Sequence, residues 1–392
     1  MIYNFDELID RRGTNCVKWT ADADVIPLWV ADMDFAVAPA IQEAVRQRAA
    51  HPIYAYTIVE DDYYEAVISW FQRRHQWHIR REWILYTTGV VPAMSCAIKA
   101  LTMPGERVLI LSPDYNCFFS SIRNNGCEVA ESVLRRTDNC RFEVNWDDFE
   151  TQCADEKTTV FLLCNPHNPT GRVWSREELQ HMADICHRHG VRIVSDEIHC
   201  ELIMPGHTFS DRRSECGVAF CPMGTVDADA IILNSPSKSF NTAGLQIANI
   251  VCQDAATRRR LDRAININEV CDVNPFGPVA AIAAYNDSED WIDELNQYLW
   301  GNYQALRDFC QQHLPDWKVM PLEGTYLVWV DVSRCCDCVA AYCDSILKEA
   351  NVWLNPGTMY GPQSGEGYLR INIACPRSRL MEALNRIKQS QI

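Results

Sequence analysis

Short runs of β-branched and apolar residues alternate with stretches of helical spacing through the middle of the chain. Arg107–Leu111, Val160–Cys164, Val191–Val194, Ile231–Asn234 and Ala248–Cys252 each read as a strand. Short apolar strands separated by helices predict a mainly parallel sheet covered on both faces. One helix is well marked. Ser175-Arg176-Glu177-Glu178 fits a capping box with Ser175 as N-cap; Leu179, Met182, Ala183 and Cys186 follow at helical spacing, and Gly190 ends it. Strand, loop, helix and strand from Val160 to Val194 thus make a βαβ unit, whose crossover is expected to be right-handed.

Further along, the pattern changes. Ile282–Leu314 reads as one long helical segment that connects two parts of the chain. Beyond it, Trp317–Met320 and Tyr326–Val332 read as strands, Cys338–Ala350 as a helix, Tyr368–Ile373 as a strand and Ser378–Gln389 as a last helix. The expected architecture is α/β. A large domain over 46–285 carries a sheet between helices, a smaller α+β domain covers 286–392, and an N-terminal segment, 1–45, packs with the small domain. A length of 392 residues suits this division.

Composition narrows the partners. Lys and Arg number 36 against 52 Asp and Glu, a net charge of −16. Phosphate backbones need clustered positive charge, so nucleic acid and anionic membrane are not expected partners. The 19 cysteines are an odd number, so at least one is unpaired within the chain. They sit in apolar runs, as small buried hydrophobes do. Met1 to Thr14 does not read as a signal peptide, and no apolar run reaches membrane-span length. The expectation is a reduced, cytoplasmic protein. Cys335-Cys336-Asp337-Cys338 has no nearby His and reads as a cysteine-rich helix start, so no metal is expected.

The chemistry is sought beyond the carboxyl ends of the strands, where open parallel sheets bind ligands. Three strand ends are followed by Asn165-Pro166-His167-Asn168-Pro169-Thr170-Gly171, Ser195-Asp196-Glu197-Ile198-His199 and Ser235-Pro236-Ser237-Lys238-Ser239-Phe240-Asn241. They offer an amide, a carboxylate and a lysine flanked by hydroxyls. Gly89-Val90-Val91-Pro92 opens a helical pattern, and a helix N-terminus can cradle phosphate. Pyridoxal phosphate needs a lysine for its aldehyde, a carboxylate on its ring nitrogen, a phosphate cradle and a face for its ring.

These motifs, in this order, resemble the fold-type I pyridoxal-phosphate enzymes of the aspartate aminotransferase superfamily. Val30-Ala31-Asp32-Met33-Asp34-Phe35, Gly324-Thr325-Tyr326-Leu327 and Tyr368-Leu369-Arg370-Ile371-Asn372 are closer still to the C–S β-lyases of the MalY/PatB type, the cystathionine β-lyases. The resemblance runs over essentially the whole chain. It implies a seven-stranded-type large sheet, pyridoxal 5'-phosphate as cofactor and a homodimer. Lys238 matches the lysine that bonds the cofactor and then acts as base, and Asp196 matches the partner of the ring nitrogen. Asn168 lies near the ring oxygen and the substrate carboxylate, and Tyr115 stacks on the ring. Val90 and Val91 offer backbone N–H groups to the phosphate, with Ser235 and Ser237 adding side chains. Arg370 holds the α-carboxylate. Tyr56 reaches the neighbouring subunit's cofactor, and Asp32 lies at the substrate.

Some positions depart from the aminotransferase pattern. His199 stands where many aminotransferases have a tyrosine near the ring oxygen, and is either a cofactor contact or a satisfied core histidine. Gln246 stands where they often have a phosphate-binding arginine. The resemblance therefore implies α,β-elimination from a sulfur amino acid such as cystathionine or cystine, yielding pyruvate, ammonia and a thiol. A class I/II aminotransferase uses the same Lys238, Asp196 and Arg370 and is the alternative. A third reading, a cofactor-bearing regulator without turnover, is opposed by the intact catalytic set.

Overall fold

The computed structural model describes residues 2–205 and 219–390. Seven strands form the central sheet: β1 (Ile84–Thr87), β2 (Arg107–Ser112), β3 (Glu128–Val133), β4 (Thr158–Cys164), β5 (Arg192–Asp196), β6 (Ile231–Asn234) and β7 (Ala248–Cys252). Their spatial order is β1-β7-β6-β5-β4-β2-β3. The run from β6 to β3 is parallel throughout, whereas β7 is antiparallel to both its neighbours. All five expected strands are present, and β1 and β3 extend the sheet at its two edges. The central strands β4 to β7 are almost wholly buried, as strands covered by helices on both faces must be.

The Ser175 capping box forms as the sequence implies. Ser175 accepts the Glu178 N–H, and the Glu178 carboxylate accepts the Ser175 N–H. Gly190 ends the helix Arg176–His189 at φ 71°, a left-handed conformation that favours glycine. The segment expected as one helix over Ile282–Leu314 is two, Phe276–Asp287 and Glu289–His313. Ser288 separates them at φ −129° and ψ 22°, with its hydroxyl donating to the Ala283 carbonyl. Asn286, Asp287 and Ser288 are weak helix formers whose side chains compete for backbone partners, and the helix breaks among them.

A second sheet lies in the C-terminal part. It contains β8 (Lys318–Val319), β9 (Leu327–Asp331), β10 (Asn355–Pro356) and β11 (Tyr368–Asn372), in the order β8-β9-β11-β10. Near the N-terminus, Ile26–Pro27 pairs in parallel with Val352–Trp353. The helix Pro39–Ala50 runs across residue 45 and packs on the helix Phe276–Asp287. Between them the segment 29–35 forms a strap held from several sides. Asn372 Nδ2 donates to the Val30 and Asp32 carbonyls, and Asn241 Nδ2 to those of Met33 and Phe35. Among the described residues no helix is long and apolar enough to cross a membrane.

Candidate active site

The carboxyl ends of β4, β5 and β6 open on one cavity of about 280 Å³, near the lower end of small-molecule sites. Its walls include Val90, Val91, Tyr115, Asn168, Asp196, His199, Ser235, Ser237 and Lys238. Residues more than a hundred positions apart converge there because parallel strands deliver their ends to the same edge of the sheet.

At one end of the cavity lies the helix Val90–Leu101, with Gly89 as N-cap. The Val90 and Val91 N–H groups precede the first helical acceptors, and Pro92 has no N–H to leave unpaired. A methyl group at Gly89 would meet nothing closer than Pro92 Cδ at 3.4 Å. The Ser235 hydroxyl donates to the Ile247 carbonyl at 2.6 Å and accepts the Ser237 N–H at 3.1 Å. It is thus engaged in capping the turn Pro236–Ser239 that carries Lys238, while Ser237 and Gln246 also line the cavity.

Asp196 ends β5 directly opposite Cys164 of β4. Its Oδ1 accepts the Ile198 N–H at 3.1 Å. Burial pushes its pKa up to about 7, so an apposed cation would be needed to keep it ionised near neutrality. Lys238 is shifted the other way, down to about 8, by burial first and then by the charge of Arg370. Its Nζ donates to the Ala31 carbonyl at 2.6 Å, which also accepts the Tyr326 hydroxyl at 2.9 Å. Burial, Lys238 and Arg370 hold the His199 pKa well below its usual range. The imidazole is neutral, and its buried Nδ1 has no partner.

Arg370 is 3% exposed. It donates to Asn168 Oδ1 at 3.1 Å and to the Trp29 carbonyl at 2.8 Å, and lies 4.7 Å above the Tyr360 ring. Its Nε is buried without a partner. A fixed guanidinium with an open donor suits a carboxylate ligand.

Arg370 borders this cavity through Asn168 without lining it, and two further expected site residues stand apart from it. Asp32 faces Arg11 at 2.6 Å and Lys18 at 3.5 Å, and lines a neighbouring cavity with Met33, Asp34 and Asn241. Its carboxylate is drawn there by the two cations. Tyr56 is 95% exposed. The Ala31 carbonyl, bonded to Lys238, is a site group that sequence reasoning does not find, because a backbone oxygen leaves no trace in residue identity.

The donor set fits pyridoxal phosphate. Free helix N–H groups and a serine suit the phosphate, Asp196 the ring nitrogen, the unpartnered His199 Nδ1 and Asn168 the ring oxygen, Tyr115 the ring face and Lys238 the aldehyde.

Comparison with known proteins gives a consistent picture. The family described as aminotransferase class I and II matches residues 23–387. Cystathionine beta-lyase PatB of Bacillus subtilis (strain 168) is 38% identical, over 98% of this chain and 99% of its own. Protein MalY of Escherichia coli (strain K12) is 32% identical, over 97% and 96%. The crystal structure of the PLP-bound C-S lyase from Staphylococcus hominis superposes with a TM-score of 0.89 at 32% identity, over 99% of this chain and 98% of that one.

Proposed function

The chain belongs to the aminotransferase class I and II family, and from that premise we propose that it is a pyridoxal-phosphate-dependent C–S β-lyase acting on sulfur amino acids such as cystathionine or cystine. The observation that carries the reading is the convergence of Lys238 and Asp196 on one cavity, with Arg370 bonded to Asn168 in its wall. The names of full-length relatives, a cystathionine β-lyase and a PLP-bound C–S lyase among them, favour elimination over transamination.

Bound pyridoxal phosphate supplies an aldehyde to hold the substrate amine and a protonated ring that withdraws electrons from Cα. The residues do the rest. Arg370 and Asn168 fix the α-carboxylate and so turn the Cα–H bond toward Lys238, an effect of orientation. Lys238, with its pKa near 8, is partly neutral at working pH and takes the Cα proton as general base. Asp196 holds the ring-nitrogen proton in place throughout. The strap carbonyls at Trp29 and Ala31 accept from Arg370 and Lys238, which steadies the guanidinium and the free amine of the lysine. The β-sulfur leaves as a thiolate and takes up a proton.

The acting form in this reading is a homodimer. Ile53, Tyr54, Tyr56 and Ile58 are exposed within one short stretch, as a segment covered by a second copy would be. Tyr56 then reaches the partner's cofactor.

The test uses cofactor-loaded protein with L-cystathionine or L-cystine and no 2-oxo acid. Pyruvate and free thiol or persulfide, released together over many turnovers and lost in Lys238→Ala, are the expected result. Turnover that starts only when a 2-oxo acid is added, with no thiol released, would replace this reading with transamination.

A further inference from the structure

Two ionisable side chains that play no part in the steps above lie at the same strand ends. Asp114 follows β2 by two residues and His167 follows β4 by three, and both are 0% exposed. The strands β2, β4 and β5 are consecutive neighbours, so Asp114, Cys164 and Asp196 stand along one edge. The Cys164 thiol feels both carboxylates: its pKa is raised first by burial, then by Asp114 and Asp196. Asp114 Oδ1 accepts the Tyr115 N–H at 2.7 Å, but Oδ2 has no hydrogen-bond partner. The His167 Nε2 lies 3.8 Å from that oxygen and 3.2 Å from the Leu111 carbonyl, while Nδ1 lies 2.7 Å from Thr170 Oγ1.

A wholly buried carboxylate must be protonated or matched by a nearby positive charge. Two carboxylates in one dry volume raise each other's proton affinity. The ring nitrogen of the cofactor, by contrast, requires Asp196 to be ionised. We propose that Asp114, paired with His167, is a positioning residue that sets the proton affinity of Asp196, and with it the pH range over which the chain takes up its cofactor. The His167 Nε2–H donates to the Leu111 carbonyl, which leaves Asp114 Oδ2 without a hydrogen-bond donor. With a proton on Asp114, a single negative charge, that of Asp196, faces the ring. When Asp114 loses that proton, Asp196 gains affinity for one.

The titratable groups around Asp196 are Asp114, Lys238, Glu197, Cys164 and Tyr115. Those around Asp114 are His167, Cys164 and Asp196. Glu197 is already tied to the Ser195 hydroxyl and the Met223 N–H.

The inference rests on the cofactor reading, and its test separates the two. The full-length protein is stripped of cofactor, and its affinity for pyridoxal phosphate is measured by absorbance across about pH 5–9, a range spanning the groups involved. The parent should bind more weakly as pH falls through neutrality. In Asp114→Asn that fall should move about one unit lower, a gain of about tenfold in affinity on the acid side. The cofactor's own groups titrate alike in every variant. His167→Gln leaves Asp114 more firmly protonated and should shift the midpoint in the same direction, which provides a second reading if Asp114→Asn folds poorly. A purely structural role would weaken binding at all pH values and leave the midpoint in place, and that result overturns the proposal. A parent chain that binds no cofactor at any pH overturns the cofactor reading itself.

Discussion

Lys18→Met tests how the strap is held. The Lys18 side chain is wholly buried, with Nζ 3.1 Å from Asp34 Oδ2 and 3.5 Å from Asp32 Oδ1. It also donates to the Asp32 carbonyl at 3.2 Å. Asp34 has other partners: Arg11 at 2.6 Å, the Trp19 indole N–H at 2.9 Å and Arg379 at 3.5 Å. Methionine keeps much of the stem and removes the charge. Breaking a buried ion pair outright costs about 3–5 kcal/mol. Because Asp34 retains Arg11 and Trp19, the expected loss is about 2–3 kcal/mol, or roughly 2–4 °C in Tm for a chain of this size.

The pH dependence has a definite sign. Burial pushes the Asp34 pKa up, but Lys18, the Trp19 N–H and Arg11 together outweigh it and hold the group below the ordinary carboxylate range. Its stabilisation is therefore complete above about pH 5 and is lost as pH falls through the folded value. The deficit of Lys18→Met should be largest near neutrality and shrink in acid. Thermal unfolding of Lys18→Met, Asp34→Asn and the double variant should give a coupling of about 2 kcal/mol. A coupling below about 0.5 kcal/mol, or a deficit that grows in acid, would refute this account of the strap.

Other substitutions probe separate links. Arg370→Lys keeps the charge but loses the planar fork, so kcat/KM should drop about a hundredfold while the bound cofactor's absorbance is unchanged; a loss under about threefold would remove Arg370 from carboxylate binding. Gly171 has φ 73°, and a methyl group there would lie 2.8 Å from Leu322 Cδ1. Gly171→Ala should therefore destabilise by about 1–3 kcal/mol in a denaturant titration, and an unchanged midpoint would contradict the steric argument. Ser175→Ala removes the accepting half of the capping box and should cost about 1 kcal/mol of stability with kcat unaltered.

The legible parts of the fold were those where one physical signal dominated. β4 to β7 are buried on both faces, and their runs of Val, Ile and Leu announce them. β3 sits at the sheet edge with Glu128 exposed and Ser132 buried, so its composition does not read as a strand. Ile282–Leu314 keeps an apolar rhythm on both sides of Ser288, and the rhythm hides the break. Among the site residues, Lys238, Asp196 and Asn168 follow directly from strand ends and could be found there. Lys18 with Asp34, and Asp114 with His167, are pairings between segments that no spacing rule connects; each is set by how the chain folds back on itself.

The strap has a consequence for synthesis. Its carbonyls meet Lys238 and Arg370, and the stretch before it pairs with Val352–Trp353. A growing chain displays Lys238 and Asp196 well before it has made Tyr326, Arg370 or Asn372. Such long-range contacts close slowly and late. During translation the strap therefore has its Asn241, Lys18 and Arg11 contacts but not those to Tyr326, Arg370 and Asn372, and the lysine stands at a half-built edge. Competence arrives in one late step, when β11 emerges and docks, so a nascent chain can carry the reactive lysine without yet being able to grip a substrate carboxylate.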